Sequence, residues 1–297
     1  MININLAGAF CKHKILTLLI FKYKFNYSVF DGVEYCKWNG GRVNKCNPFD
    51  PKILEYYNKK NIPLYFTFSN PNIDLNDTTG NFLLEQIKDY NNGCIIVNDN
   101  LREYIRSKYP NLKLIYSVTG HPNNPSVDIK CLKDLEKRYD LIVPRYEWTF
   151  NPDFYNNVDV SKYEIMINDT CKYNCELWND HFSAIAKLNE QGDPYCCTSK
   201  KEIIKIRECW IPGFNPSVGS EEDRQKYGDC LGMDLSVNAL KNAIKIGYKH
   251  FKIMGRENSN DVFFAETSDF LDRIQKALGL NIPLQNTSHI DDILRKS

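Results

Sequence analysis

The sequence predicts a (β/α)8 TIM-type barrel, and three observations carry that expectation. Eight short apolar runs rich in β-branched and aromatic residues recur along the chain. Most of them are separated by stretches with helical spacing, the alternation that builds parallel βαβ units. The runs are also near-continuously apolar, as expected of strands covered on both faces. A doubly wound open sheet is the competing arrangement. With 297 residues the chain can bury a large core.

ININL (2–6) opens the series of strands. ILTLLIF (15–21) follows it, with Lys22 and Lys24 directly after and no small-residue cleavage site. It is far short of the roughly 18 apolar residues that span a membrane, so it reads as a buried helix and not as a signal peptide. YSVFD (27–31) is the second strand, and the helix DPKILEYYNKKN (50–61) places Ile53, Tyr56 and Tyr57 on one face. PLYFTF (63–68) precedes NFLLEQIKDYN (81–91), which presents Leu83, Leu84 and Ile87. GCIIVN (93–98) precedes NLREYIRSKY (100–109). LKLIYSV (112–118) precedes DIKCLKDLEKRY (128–139), with Leu132, Leu135 and Tyr139 on its apolar face. LIVPR (141–145), YEIMIN (163–168) and HFKIMG (250–255) complete the eight strands. SVNALKNAIKIG (236–247) and DFLDRIQKALG (269–279) are helices, each closed by a glycine. No linker-like tract divides the chain, so residues 1–297 are expected to form one barrel domain. Its irregularity is a long excursion, residues 169–249, between the seventh and eighth strands, of the size that carries function or an inserted subdomain.

Composition narrows the function classes. A net charge of +1 excludes a strongly basic nucleic-acid module. No membrane insertion is expected, and the expected location is cytoplasmic. In a reducing compartment the eleven cysteines are not disulfide candidates. Cys94 inside a strand, with Cys11 and Cys131 at helical positions, reads as an ordinary buried cysteine. Clustered cysteines are instead candidates for metal ligation or redox work.

In a barrel, chemistry belongs at the carboxyl ends of the strands. The residues there are Cys36 and Arg42 after the second strand, Ser69 and Asn70 after the third, and Asn98 after the fourth. Arg145 and Glu147 follow the sixth, Asn168 and Cys171 the seventh, and Gly255, Arg256 and Glu257 the eighth. An arginine at that rim can grip a carboxylate or phosphate bidentately.

Six of the eleven cysteines fall within residues 171–230: Cys171, Cys175, Cys196, Cys197, Cys209 and Cys230. Converging thiolates suit zinc or an iron–sulfur cluster. The pair Cys171 and Cys175 at a helix start would share one face, where the helix dipole favours the thiolate. The radical S-adenosylmethionine pattern Cys-x3-Cys-x2-Cys fails, because Trp178 stands at its third position and the pair follows strand seven instead of strand one. The chain has no GxSxG, HExxH, P-loop or GxGxxG motif, so serine hydrolase, zincin and nucleotide-cofactor readings have no support.

The stretch YEIMINDTCKYNCELWNDHF (163–182), a later cysteine, and a helix running into IGYKHFKIMGRE (246–257) together resemble the collagenase-like peptidase family, peptidase family U32. SVFDGVEYCKWNGGRVN (28–44) is similar to the family's Tyr-x-Gly … Gly-Arg turn, with Phe30 in place of the tyrosine. The resemblance implies a barrel protein that binds a 4Fe-4S cluster through four cysteines and supports oxygen-independent hydroxylation. Transfer RNA, ribosomal RNA or the ubiquinone ring is the implied substrate, with prephenate as oxygen source. Carried over, the ligands would be Cys171, Cys175, Cys196 (or Cys197) and Cys230, with Cys36 as the alternate that related members recruit after an early strand. The chain departs from the family in the spacing of the first pair and in an insertion-like stretch around 209–229. It also ends soon after its last barrel helix, where RNA-modifying members carry further domains.

The expected catalytic and binding residues are therefore Arg256, Arg42 and His181, with Arg256, and Arg42 or Arg145, holding an anionic substrate or small-molecule co-substrate. Three other readings stay open. A collagenase-like peptidase would use Cys171 with His181 as base. A zinc site would use the same thiolates. A non-catalytic subunit would pair with a partner barrel.

Overall fold

The computed structural model of the chain describes residues 2–40, 48–123, 126–169, 182, 183, 186, 233–256 and 258–280. Strands β1 (Asn3–Ala7), β2 (Asn26–Asp31), β3 (Leu64–Phe68), β4 (Gly93–Ile96), β5 (Lys113–Tyr116), β6 (Leu141–Ile142) and β7 (Glu164–Met166) follow in chain order. Two short strands, β8 (Asn168–Asp169) and β9 (Met233–Asp234), pair antiparallel beside the ring, and β10 (His250–Ile253) is its last member. Among the described residues, eight parallel strands lie in the order β6-β5-β4-β3-β2-β1-β10-β7. A parallel bridge between Ile142 and Tyr163 connects β6 to the start of β7, so the sheet returns on itself. The eight predicted runs are these eight strands, and the TIM-type barrel is the fold.

The continuous apolarity of the runs has its explanation in two buried layers. Leu6, Val29, Phe66 and Ile253 pack outward into the layer shared with Leu16, Leu83, Leu240 and Ile274 of the helices. Their chain neighbours Ala7, Phe30 and Tyr65 pack inward with Ile95, Ile115 and Met166, filling the ring. Successive side chains of a strand point to opposite faces, and here both faces are dry.

The helices α1 (His13–Lys22), α2 (Pro51–Lys59), α3 (Thr78–Ile87), α4 (Asp99–Lys108), α5 (Ile129–Arg138) and the single turn α6 (Pro152–Tyr155) lie between the strands. They are followed by α7 (Val237–Ile246) and α8 (Asn260–Ala277). Their starts are written locally. Asp50, Asp77, Asn98, Asp128, Ser236 and Ser259 each accept a backbone N–H of the first turn. Gly247 closes α7 at φ +116°, a conformation that only glycine adopts without strain. The last helix begins at Asn260, well before the expected 269, because the Ser259 cap starts it at the end of the β10 loop. Two cysteines also differ from expectation. Cys94 is buried in β4, whereas Cys131 is exposed on α5 and Cys11 is only partly buried, in the turn before α1. Cys131 lies off the stripe that α5 buries, and Cys11 precedes its helix.

Trp38 anchors the loop after β2. Its indole donates to the Asp74 carbonyl (2.7 Å) and its ring lies on α3 at Gly80, where a Cβ would sit 2.3 Å from the ring. The indole is fully buried and cannot move aside, so Gly80→Ala overpacks the contact. The expected loss is about 1–3 kcal/mol, read as a lower midpoint in urea unfolding. An unchanged midpoint would show that α3 can slide off the indole.

Candidate active site at the carboxyl end of the barrel

A charged column runs through the barrel interior to its carboxyl end. Lys252, on β10, is 5% exposed, and its Nζ lies 3.4 Å from Glu164 Oε2 on β7. The other carboxylate oxygen of Glu164 accepts from Asn5 Nδ2 on β1 (3.0 Å). These residues sit on three adjacent strands, with His250 opposite Glu164 and Asn5 opposite Lys252 in register. The Lys252 ammonium also lies 4.0 Å from the centroid of the Phe30 ring, a contact that favours the cation. Burial draws the Lys252 pKa down, and Glu164 acts against that shift.

Nearer the rim, Arg256 Nη1 donates to Asp31 Oδ1 (3.2 Å) at the end of β2. The same carboxylate accepts from the backbone N–H of Phe10 and Gly32, each at 3.0 Å, and of Cys11 at 3.4 Å. Burial pushes the Asp31 carboxyl upward, while Arg256 and these N–H groups oppose it. Lys252 and Arg256 both line a small cavity at the mouth, together with the hydroxyl-bearing Thr67, Ser69, Ser117 and Thr119. Val143, Met166 and Met254 supply an apolar wall, and Asp169 and Phe182 complete the rim. The Thr67 hydroxyl is buried and has no hydrogen-bond partner among the described residues.

Several of the expected rim residues prove to be braces. Ser69 Oγ donates to the Gly40 carbonyl (2.8 Å), and Gly40 approaches the Ser69 backbone so closely that a Cβ would lie 2.1 Å from it. Asn70 donates to the Lys37 carbonyl (2.8 Å), and Asn98 caps α4 while donating to Pro71 (2.8 Å). Arg145 is fully buried, held by Glu147 at 2.7 and 3.1 Å and by the carbonyls of Pro122 and Asn123. Asn168 accepts from the Met254 N–H (2.8 Å), which ties the end of β7 to the end of β10. Each uses its polar groups on the backbone of a neighbouring loop.

Of the expected catalytic residues, Arg256 stands in the mouth. Arg42, His181, Cys171, Cys175, Cys196, Cys197 and Cys230 lie outside the described residues. Cys36 is buried with its sulfur 3.9 Å from Asp77, and burial pushes its thiol up to about 12. Among the described residues, no group of three or more His, Cys, Asp and Glu side chains could hold a metal ion. The sequence reading passed over Lys252, Glu164 and Asp31. A signal was present: a lysine and a glutamate stand in the middle of runs expected to be buried on both faces.

The fold and mouth define a (β/α)8 barrel with two buried cations, Lys252 and Arg256, at its carboxyl end. No protein-family model matches the chain, and no curated protein matches it in sequence. Among solved structures the barrel is similar to that of the U32 peptidase Mk0906, with a TM-score of 0.54. The match covers 86% of this chain and 93% of that one at 10% identity. The likeness is one of barrel fold. No described helix is long and apolar enough to cross a membrane.

Two measurements probe the interior. Glu164→Leu leaves Lys252 buried without its counter-ion and is expected to cost about 3–5 kcal/mol, largely recovered in the double variant with Lys252→Met. Equal losses in the single and double variants would show that the pair is not coupled. The second concerns His121, fully enclosed between the Tyr116 and Trp148 rings, whose Nε2–H donates to the Val143 carbonyl (2.9 Å). Burial lowers its pKa from 6.5 to about 4, with Arg145 adding to the shift. The unfolded chain takes up this proton near 6.5 and the folded chain only near about 4, so stability present above pH 6.5 is lost as pH falls to about 4. The loss amounts to about 3 kcal/mol. His121→Phe should flatten the dependence of the urea midpoint on pH in that window, and a parallel pH profile would exclude His121 as its source.

Proposed function

We propose that the chain is an enzyme that works at the carboxyl-end mouth of its barrel on an anionic substrate. One observation carries the reading: Lys252 and Arg256 converge on a single hydroxyl-rimmed cavity at the end where barrels do chemistry. Both cations are buried, so an entering carboxylate or phosphate meets them with little solvent screening. Arg256 would orient the anion, held in place by Asp31. Lys252 would add charge from below, and the unpartnered Thr67 hydroxyl is free to hydrogen-bond the substrate. Val143 and Met166 would exclude water from the reacting group.

The cysteines extend this reading to a redox modification, with oxygen-independent hydroxylation as the form the family resemblance implies. Cys171, Cys175, Cys196 (or Cys197) and Cys230 would hold a 4Fe-4S cluster, and the donor set fits, because thiolates are its usual ligands. Asp169 and Phe182, which flank the segment carrying Cys171 and Cys175, both line the mouth cavity. Cys36 fits the cluster poorly, being sealed in against a carboxylate. When bound, the cluster would supply one-electron chemistry.

Purification without oxygen tests the proposal. The expected protein is brown, with about four iron and four sulfide per chain, and Cys171→Ala loses both. A colourless protein without iron would overturn the cluster, and bound zinc would put a zinc site on the same thiolates. A collagenase-like peptidase is the second reading, favoured by the likeness to a peptidase barrel. Among the described residues no Ser or Cys side chain is hydrogen-bonded to a histidine, so that reading rests on Cys171 with His181. Peptide cleavage by the metal-free chain, abolished by thiol alkylation, would establish it. If a second barrel protein co-purifies and this chain alone is inactive, the chain is a partner subunit.

A further inference from the structure

The opposite end of the barrel holds a second and larger opening, a cavity of about 510 Å³. It lies where the turns before β2, β3 and β4 meet the amino ends of the strands, and its volume falls in the range of small-molecule sites. Nothing in the reading of the mouth requires it. A barrel floor that serves stability alone is expected to be filled by side chains.

We propose that this amino-end cavity binds a small hydroxylated anion of the sugar-phosphate or polyol-phosphate class. The charge of the lining argues for the anion. Lys24, Lys60 and Lys113 contribute to it with His250, and none of the three lysines pairs with a described carboxylate. Among the described residues Glu164 is the one carboxylate in the lining, and Lys252 and Asn5 already hold its two oxygens. The opening is therefore cationic, with its negative charge accounted for.

The depth of the cavity argues for the hydroxyls. Asn5 is 2% exposed and lines the cavity, and its Nδ2 is committed to Glu164. That bond fixes which way the amide is turned and leaves Oδ1 as the acceptor. This Oδ1 is buried and has no hydrogen-bond partner among the described residues. An orphaned buried acceptor is costly, and a donor from an occupant satisfies it. The donor must be an O–H or N–H that can reach the barrel floor. The lysines, by contrast, come from the turns and from the first residue of β5. A molecule with hydroxyls at one end and a phosphate at the other matches both demands. Asn3, Ser28 and Asn91 add hydrogen-bonding groups, and Tyr27 and Tyr65 add ring surface to the lining.

Calorimetry on the full chain tests the site, with glucose 6-phosphate, ribose 5-phosphate and glycerol 3-phosphate as probes. Glucose and inorganic phosphate serve as separate arms. At least one phosphorylated probe should bind about tenfold more tightly than either fragment. The double variant Lys60→Ala/Lys113→Ala should weaken it by about tenfold or more. Its far-ultraviolet dichroism and melting should match the parent, because these side chains lie at the opening and make no ion pair with a described residue. Arg256→Gln, at the other end of the barrel, should leave the affinity unchanged. Binding by none of the three probes would overturn the proposal, as would binding indifferent to the lysine pair. Affinity lost in Arg256→Gln and kept in the lysine variant would assign the anion to the mouth instead.

Discussion

A charge cannot be buried inside a barrel without a partner, and the Glu164–Lys252 pair meets that constraint at the centre of this one. The pair joins β7 to β10, and Asn5 extends it to β1, across the part of the ring where the last strand to enter the sheet meets the first. Removing one member would leave the other in a low-dielectric interior, which is costlier than never having buried either. The pair also divides the interior. Lys252 faces the cavity at the mouth, while Glu164 lines the cavity at the amino end. What either end of the barrel can bind depends on how these two side chains share their charge.

Around this column the architecture is held by backbone-directed polar groups more than by long strands. β6 has two residues and β7 has three, so the ladder alone closes the ring only weakly. Arg145 on Glu147 and on the carbonyls before α5, Asn168 on the Met254 backbone, and Ser69 on Gly40 make up part of the difference. Each sets a polar side chain on a backbone carbonyl or N–H that needs a partner, and Arg145 meets the Glu147 carboxylate as well. These braces hold the loops that surround Lys252 and Arg256. A mouth so braced keeps its cations in place before any ligand arrives, which is the condition for electrostatic catalysis.

Much of the fold was legible because its signals are local. The apolar runs marked all eight strands, and helical spacing placed the starts of the helices at 51, 99 and 237 within a residue or two. Where the reading slipped, the reason was a cap or a face. Ser259 begins the last helix early, and Cys131 falls on the solvent side of α5. The site was less legible. Position at a strand's carboxyl end nominated Ser69, Asn98, Arg145 and Asn168 as readily as Arg256. Asn98, Arg145 and Asn168 turn their polar groups onto neighbouring segments, and Ser69 lines the cavity but spends its hydroxyl on Gly40, whereas Arg256 lines the cavity with a charge.

The sequence by itself determined the barrel and the order of its strands, because hydrophobic period acts over a few neighbouring residues. The tertiary structure alone decided which polar groups meet. Lys252 reaches Glu164 across 88 positions, Asn5 reaches it across 159, and Arg256 reaches Asp31 across 225. Those partners are set by closing the ring, which brings the first and last strands side by side. A buried charge is obliged to find a partner, but its own neighbours in the chain do not say which one.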